Sequence, residues 1–399
     1  MKIYSPTLFI EINNYDFIFA VVDISESHFI KILYKNSVPI EGVKGNTITD
    51  HNLIVNLFKK NIYYIEQKMN FIFKEAIVIL NNFDFSLINC SGYKKLNGSQ
   101  LVKENITYLL NSLKSKITEV EEDKTILHIF NSNFLLDQKY TENLPIGLFG
   151  NFYSQELTFY LIKKNDRKNL ENIFNKCNLK LNKIVVKNFI EGTKLINNNK
   201  NLNNFLKIEI NKHNSQVIFF ENSALKFKQD FKFGSDLIIQ DISKVIGLSI
   251  ENLKDFLFNS NFLNKNFIEE NIEKVYFKDQ QFRKIKKKLI FEIADARIEE
   301  FLEILVTKNI NLKSFLKKKD VNILIKLAEE LNTKCFKESY KKIFSNKSQF
   351  KLNFLEKNTF DDIYVDAKNI VQYGWKTEAV PIVHENKSFI SRFFNLFFN

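Results

Sequence analysis

The stretch FIEINNYDFIFAVV, residues Phe9–Val22, determines how the rest of the chain is interpreted. It consists of an apolar strand, FIEI, a polar turn, NNYD, and a second apolar strand, FIFAVV. Asn and Asp tolerate the left-handed backbone conformations that a tight hairpin needs. The stretch therefore predicts a strand–turn–strand hairpin near the start of the chain.

A stretch with the same pattern, KIEINKHNSQVIFF, follows at Lys207–Phe220. The letters IEIN recur at Ile10–Asn13 and Ile208–Asn211, each before a polar turn and an apolar strand. Chance could repeat four letters in a chain rich in Ile and Asn, but two matched hairpins favour an internal duplication. A duplicated opening of this kind resembles the actin, hexokinase and Hsp70 superfold, in which the two turns hold the phosphates of ATP.

Composition limits the class of protein. The chain has 399 residues, enough for two or more domains, and its 45% hydrophobic content with 41 Phe excludes global disorder. Three separated cysteines fit a reducing cytosol better than a disulfide framework. The formal charge of +12 favours anionic membranes or acidic peptides over nucleic acid, although Lys and Asn are abundant throughout.

Membrane-spanning and catalytic patterns are not found. The sequence has no apolar run of 18 residues, and its first residues lack a signal-peptide cleavage site. The histidines show no ligand pairing and no Ser/His/Asp arrangement can be placed, so we predict that the protein is not an enzyme. These histidines are His28, His51, His128, His213 and His384.

Two motifs carry a more specific resemblance. The turn NLPIGLFGN, with Pro145, Gly147 and Gly150, could be purely structural. Its place between strands resembles the Pro-x-Gly-(Leu or Met)-x-Gly turn of the bacterial cell-division family FtsA. By periodicity, Leu289–Val306 is an ordinary amphipathic helix. Its string EIADARIEEFLEIL also resembles an FtsA helix, and Arg297 belongs to that match.

The resemblance to FtsA spans essentially the whole chain and implies an α/β fold. The expected architecture is an actin/Hsp70-like, two-domain duplicated fold with an inserted α+β (SHS2-like) subdomain 1C and a C-terminal amphipathic helix. The implied boundaries are 1–84 for subdomain 1A, completed by about 360–380; 85–187 for 1C; 188–230 and 307–359 for 2A; 231–306 for 2B; 381–387 for a linker; and 388–399 for a membrane-targeting helix.

The resemblance also implies two phosphate loops, Asp-Ile-Gly-Thr-Ser-Lys and Asp-Ile-Gly-Gly-Gly-Thr. All loop glycines are replaced here, and Asp16 stands where a Lys is expected. The family's third motif, a Gly-Gly pair, corresponds to positions near Ala328 and Glu329, where this chain again has no glycine. We therefore predict no ATP hydrolysis and weak or absent binding of ATP and Mg²⁺. The residues at the degenerate nucleotide site are Glu11, Asn13, Asn14, Glu209, Asn211, Lys212 and Asn214.

The segment SFISRFFNLFFN, residues 388–399, has the pattern of an interfacial helix. Its apolar residues cover one continuous half of a helical wheel, with Arg392 on the other half. A helix docked on the body of the protein is the alternative, but five Phe in ten residues favour a membrane. The predicted membrane-binding residues are Phe389, Ile390, Arg392, Phe393, Phe394, Phe397 and Phe398.

By resemblance, the expected function is that of a division adaptor on the cytoplasmic face of the inner membrane, at the division site. The implied partners are the tail of the tubulin-like protein FtsZ, a second copy of the chain, later division proteins and anionic lipid, but no nucleic acid. The FtsZ tail binds subdomain 2B in the family. The candidate contacts here are Arg283, Lys284, Lys286, Lys287 and Arg297, although a solvated charge run would look the same.

Two other classes of protein remain open from the sequence. One is an active ATPase or sugar kinase of the same superfold, which the missing loop glycines disfavour. The other is a nucleic-acid-binding protein, which the charge suggests, although no face that interleaves aromatic and basic residues can be identified. Within the same fold, the competing hypothesis is a pilus-assembly adaptor such as PilM, which the amphipathic segment disfavours because those proteins lack it.

Overall fold

The computed structural model describes residues 6–13, 15–24, 30–45, 47–81, 83–199, 202–259, 269–278, 280–316, 321–345, 350–356 and 358–373. The predicted linker and membrane-targeting helix, and Asn14 of the first turn, lie outside these residues. The chain divides into two compact units. The first comprises Met1–Asn198 with Asp361–Asn399, and the second comprises Asn199–Phe360.

The first unit contains a mixed sheet, an inserted antiparallel sheet and five helices among its described residues. Its elements are β1 (Thr7–Ile12), β2 (Asp16–Ile24), β3 (Ile30–Pro39), β4 (Val43–Lys44), β5 (Thr47–Ile48), α1 (His51–Met69), β6 (Glu75–Leu80), β7 (Phe85–Lys95), α2 (Lys103–Val120), β8 (Lys124–Leu136), β9 (Lys139–Thr141), β10 (Phe152–Lys163), α3 (Lys164–Lys176), β11 (Lys180–Val186), α4 (Lys187–Asn198) and a last helix at Ile363–Tyr373.

The mixed sheet has the order β11-β6-β1-β2-β3 and is covered on both faces. Strands β1 to β3 are antiparallel neighbours, while β6 runs parallel to β1 and β11 parallel to β6. On one face, Phe58 of α1 packs edge-on against Phe17 of β2 at 5.1 Å and Phe174 of α3 at 5.8 Å. Phe9 and Glu11 are two residues apart in β1 and lie on the other face of the sheet. On that face the helix Ile363–Tyr373 lies beside α4.

The inserted sheet has the order β7-β10-β8-β9. All its neighbours are antiparallel, and α2 packs on β7 and β8 to form a separate small core. Strand β11 pairs with β6 and thus belongs to the mixed sheet, whereas the sequence assigned 85–187 to the inserted subdomain. Its run KIVV is buried, as a parallel strand inside a covered sheet requires.

The second unit is built on one sheet, and its helices pack around a hydrophobic core on one face of that sheet. Its elements are β12 (Phe205–Ile210), β13 (Ser215–Glu221), β14 (Ala224–Phe231), α5 (Ser235–Ile246), α6 (Ile250–Asn259), α7 (Lys287–Leu302), α8 (Ile310–Leu316), β15 (Val321–Leu327), α9 (Lys334–Ser345) and β16 (Phe350–Phe354). The helix Ile363–Tyr373, which returns to the first unit, is α10.

The two mixed sheets share one topology. The second has the order β14-β13-β12-β15-β16, with three antiparallel strands followed by two parallel strands. Strand β12 therefore corresponds to β1, and β15 to β6. The α/β fold with an internal duplication, predicted from the two IEIN hairpins, is confirmed.

Tertiary contacts set the ends of two helices. The Asn-rich segment after β11 is helical as far as Asn198, because α4 buries Phe189, Ile190 and Leu195. The helix α2 begins only at Lys103. Before it, Leu101 is bound to the glycine turn, since its N–H donates to Leu148 at 2.9 Å and its carbonyl accepts from Gly147 at 2.9 Å.

Among the described residues, no helix combines the length and the apolar character that are needed to cross a bilayer.

Candidate functional site

The first hairpin turn is closed by side chains of the protein itself. Asn13 donates its backbone N–H to the Asp16 carbonyl at 3.0 Å and its side-chain amide to the Asp16 carboxylate at 3.0 Å. From neighbouring segments, the Ser37 hydroxyl donates to the same carboxylate at 2.5 Å, and Asn81 donates to the Asn13 side chain at 3.2 Å. The side chains of Asn13 and Asp16 are therefore bound to each other and to these two neighbours.

Glu11 lies just before this turn and is 1% exposed. Its carboxylate forms an ion pair with the Lys187 ammonium at 2.7 Å and accepts a hydrogen bond from the Tyr364 hydroxyl at 2.5 Å. Burial and the adjacent Glu11 carboxylate raise the pKa of Tyr364, so its phenol remains a donor. Since a buried carboxylate needs a compensating charge, Lys187 supplies the charge that a bound cation would otherwise provide.

The three side chains come from separate parts of the first unit. Glu11 is in β1, Lys187 is the first residue of α4, and Tyr364 is in the first turn of α10. Lys194 and Asp366 form a second link between the two helices, at 3.3 Å. The Glu11 carboxylate thus fastens both helices to the central strand of the sheet.

The second hairpin turn repeats the first closure. Asn211 donates its backbone N–H to the Asn214 carbonyl at 2.9 Å and its side-chain amide to the Asn214 side chain at 2.9 Å. The first N–H groups of α5, from Ser235 and Asp236, donate to Asn211 and Lys212 carbonyls at 2.9 and 3.0 Å. A helix N-terminus can bind an anion only with unoccupied N–H groups, and the turn occupies these two.

The approach of the second turn to α5 requires Gly234. A Cβ at that position would lie 2.2 Å from the Asn211 carbonyl oxygen and 2.5 Å from that of Lys212. His213 also faces the helix, with its Nδ1 3.1 Å from the Asp236 carboxylate. The turn is therefore docked on the helix and not held apart from it by a ligand.

Glu209 corresponds to Glu11 and is likewise paired with a lysine. The Lys207 ammonium lies 2.7 Å from its carboxylate and 5.0 Å from the Phe360 ring centre. Lys207 is 0% exposed, so this cation is held inside the unit by a carboxylate and an aromatic face. Both acidic positions of the duplicated hairpins therefore have an internal cation.

The position expected for the third Gly-Gly is also filled by ordinary structure. Ala328 donates its N–H to the Ile210 carbonyl at 2.7 Å, and a 3-10 turn follows at Glu329–Leu331. Glu330 accepts a hydrogen bond from the Ser235 hydroxyl at 2.7 Å. In each unit taken by itself, the residues present do not fit the phosphate loops or the metal carboxylate of an ATP site.

The second unit contains a basic stretch, FRKIKKK, at Phe282–Lys288. Several of the cations predicted as peptide contacts in and near it are paired with carboxylates. Lys287, predicted as a peptide contact, is buried and bonded to Glu270 at 3.0 Å and Glu273 at 2.6 Å. Arg297 is held by Asp241 at 2.6 Å and Glu300 at 2.5 Å.

The other three predicted peptide contacts are exposed. Lys286 lies 2.9 Å from Glu269, whose pKa is lowered by this contact. For Arg283 and Lys284, the described residues include no ion-pair partner. These two cations are the members of the predicted set best placed to bind an anionic partner.

The turn at Pro145–Gly150 has a structural role in the inserted sheet. Gly147 has a φ of +89°, and its N–H donates to the Leu101 carbonyl. A Cβ on Gly150 would lie 2.6 Å from the Leu136 side chain. Glycine is thus required once for backbone conformation and once for close packing.

Sequence reasoning missed the residues that complete the site. Lys187 could have been noticed as a basic residue directly after a buried strand, but Tyr364 and Lys207 carry no local signal. Gly234 stands between a strand and a helix, where a glycine can indicate a close approach.

The fold of this chain is similar to that of solved structures over most of its length. It matches a chain of the PilM-PilN type IV pilus biogenesis complex with a TM-score of 0.52, at 8% identity, covering 94% of this chain and 95% of that one. Together with the duplicated sheets, this likeness defines the class: the chain is an actin-fold protein.

Curated relatives narrow that class, although no protein-family model matches the chain. It is 18% identical over 356 residues to the cell division protein FtsA of Buchnera aphidicola subsp. Acyrthosiphon pisum, covering 86% of this chain and 85% of the relative. To FtsA of Bacillus subtilis it is 21% identical over 282 residues, 69% of this chain and 63% of the relative. The chain is a divergent, FtsA-like actin-fold protein.

Proposed function

We propose that this protein is a cell-division adaptor that tethers FtsZ filaments to the cytoplasmic face of the inner membrane. Similarity to FtsA over most of both chains supports the division role. In this proposal the protein self-associates through its folded body, binds the FtsZ tail, and recruits later division proteins at the division site.

The adaptor works without ATP hydrolysis in this proposal, as a pseudo-ATPase of the actin fold. The observation that supports it is the buried Glu11 carboxylate, whose charge is balanced by the Lys187 ammonium and which accepts a hydrogen bond from the Tyr364 hydroxyl. Internal side chains take the role that Mg²⁺-ATP would have in ordering this part of the fold. The protein therefore keeps its structure with no nucleotide present.

Calorimetric titration with Mg²⁺-ATP, paired with a thermal melt, tests this point. We expect no heat of binding and an unchanged melting temperature, because a ligand raises stability only by binding the folded state. A millimolar or tighter affinity would overturn the proposal of a nucleotide-independent adaptor. Lys187→Met is the informative variant, since ATP binding gained on its removal would show that the lysine itself blocks the site.

Membrane attachment rests on the sequence of residues 388–399. The half-wheel of apolar side chains suits the headgroup boundary, and each basic residue adds about 1 kcal/mol on anionic lipid. Co-sedimentation with anionic vesicles should pellet the full chain and leave a variant that ends at Asn386 in solution, equally with and without ATP. If both chains stay in solution, the membrane part of the proposal fails.

The FtsZ contact is proposed at Arg283 and Lys284, the two exposed cations of the basic stretch that have no ion-pair partner among the described residues. Replacement of both by Glu should abolish binding of an FtsZ tail peptide, measured by fluorescence anisotropy. Lys288 is the matched control, because it is exposed nearby but already paired with Glu292 at 3.5 Å. Equal loss of binding in Lys288→Glu would show only a general effect of charge.

A further inference from the structure

Strand β7 forms an outer edge of the inserted sheet within the described part of the chain. It is 11 residues long, FSLINCSGYKK, and pairs with β10 on its inner side. The register runs from Phe85 to Lys95 without a bulge, whereas the β10–β8 pairing contains two register shifts. A long regular edge presents a row of N–H and C=O groups to a further strand.

Protection against edge pairing is weak along this strand. Soluble proteins usually block such edges with proline, a bulge, a short strand or charges. β7 contains no proline, and its charges are confined to the end, at Lys94 and Lys95. The middle of the strand is therefore competent to pair.

The sequence of β7 suits antiparallel pairing with itself. All eleven residues overlap only when Cys90, the central residue, lies opposite its own copy. Asn89 then lies opposite Ser91, and Leu87 opposite Tyr93, which is 68% exposed. The residues of these pairs are all odd-numbered, so their side chains lie on the same face of the strand. The two copies therefore place their apolar faces on the same side of the joined sheet.

The charges also favour the antiparallel arrangement. Lys94 and Lys95 end the strand, so the antiparallel arrangement places the lysines of the two copies at opposite ends of the contact. Asp84, which precedes the strand, is paired with Lys163 of its own chain at 3.1 Å. A parallel pair in register would instead set Lys94 and Lys95 beside their own copies, and like charges directly opposite one another are destabilising.

We propose that β7 pairs antiparallel with β7 of a second copy of this chain, joining two inserted sheets about a two-fold axis at Cys90. The proposal deepens the self-association that belongs to the proposed function. It commits to a two-fold contact, which closes a dimer and does not by itself extend a filament.

Oxidative cross-linking of the full-length protein tests the contact directly. Opposed residues of antiparallel neighbours have Cα atoms about 4.5–5.5 Å apart, within the range of about 4.4–6.8 Å that a disulfide spans. We expect a covalent dimer with copper phenanthroline and its loss in Cys90→Ser, which keeps Cys177 and Cys335. No dimer in the parent protein, or an undiminished dimer in Cys90→Ser, would overturn the proposal.

The register has its own test in the Cys90→Ser background. Asn89→Cys and Ser91→Cys are prepared separately, and each is oxidised alone and as an equal mixture. The proposed register predicts strong cross-linking in the mixture and weak cross-linking of either variant alone. Equal cross-linking in all three samples would indicate random collision and contradict the register.

Charge variants provide a reversible measurement with a matched control. Asn89→Lys with Ser91→Lys places like charges opposite each other twice across the axis, whereas Asn89→Lys with Ser91→Glu places opposite charges there. We expect roughly tenfold weaker dimerisation by sedimentation equilibrium for the first variant than for the second. Equal dimerisation would refute β7 pairing. Unchanged vesicle binding by both would show that the adaptor proposal stands independently.

Discussion

The ion pair of Glu11 and Lys187 allows a stability prediction for a single residue. Replacement of Lys187 by Met leaves the Glu11 carboxylate buried without its cation, and removal of one partner of such a pair costs about 3–5 kcal/mol. We expect a loss near the lower end, because Tyr364 still donates to the carboxylate. Chemical denaturation at neutral pH measures the change.

The control for this prediction removes the charge as well as its partner. Glu11→Gln combined with Lys187→Met should be more stable than Lys187→Met alone, since no buried ion is then left unpaired. A double variant that is less stable than the single one would mean that the ion pair does not account for the loss.

His128 predicts a pH dependence of stability. It is 1% exposed and surrounded by the rings of Phe130, Tyr160 and Phe189, and burial lowers its pKa from 6.5 to about 4. In the unfolded chain His128 is protonated below about pH 6.5, whereas in the folded chain it is protonated only below about pH 4. Stability should fall through this window as pH decreases, by about 2 kcal/mol between pH 7 and 5 from this residue.

Parallel denaturation of His128→Leu isolates that contribution, because leucine fills the site and does not titrate. The variant should lose less stability than the parent protein between pH 7 and 5. Identical pH profiles would contradict the assignment of this loss to His128.

At the scale of residues, the sequence identified which positions belong to the candidate site but not which side chains bind them. Glu11 was singled out as an acid before the first turn, but its neighbours are 176 and 353 residues away in the chain. A local pattern cannot contain such pairings, since they depend on where α4 and α10 cross the sheet. For the same reason Lys287 was predicted as a surface contact and is buried between two glutamates.

At the scale of elements, apolar alternation located the strands, and tertiary contacts set their ends. The helix α4 forms although Asn has low helix propensity, because burial of Phe189 and Ile190 overrides that preference. The helix α2 starts only at Lys103 because the residues before it are bonded to the glycine turn. Neither effect is visible in a local window of sequence.

The start of α1 is fixed by a side-chain cap, Asp50, and this cap supports a stability prediction. The Asp50 carboxylate accepts hydrogen bonds from the N–H groups of Asn52 at 2.9 Å and Leu53 at 3.1 Å. Asp50→Ala should lower the free energy of unfolding by about 1 kcal/mol because those groups lose their partner. Asp50→Asn retains a capping oxygen and should cost much less. Thermal melts of both variants make the comparison, and equal losses would refute a capping role.

At the scale of the whole molecule, the two units differ in how the chain builds them. The second unit is one continuous segment, Asn199–Phe360, with its own hydrophobic core. The first unit is completed only by α10, which supplies Tyr364 to Glu11 and a lysine, Lys368, to Thr7. The duplication in sequence therefore produced two similar sheets with unequal independence.

That inequality predicts the behaviour of fragments. Residues 199–360 should fold alone with a cooperative melt and dispersed amide resonances, because the sheet and the helices that cover its core lie within the segment. Residues 1–198 should not, since without α10 the face of β1 that carries Phe9 and Glu11 keeps only α4 as cover and loses the ring and hydroxyl of Tyr364. Adding a peptide of residues 361–399 should restore order to the first fragment, as followed by near-UV circular dichroism. Cooperative folding of residues 1–198 without the peptide would show that Tyr364 and α10 are dispensable for the sheet.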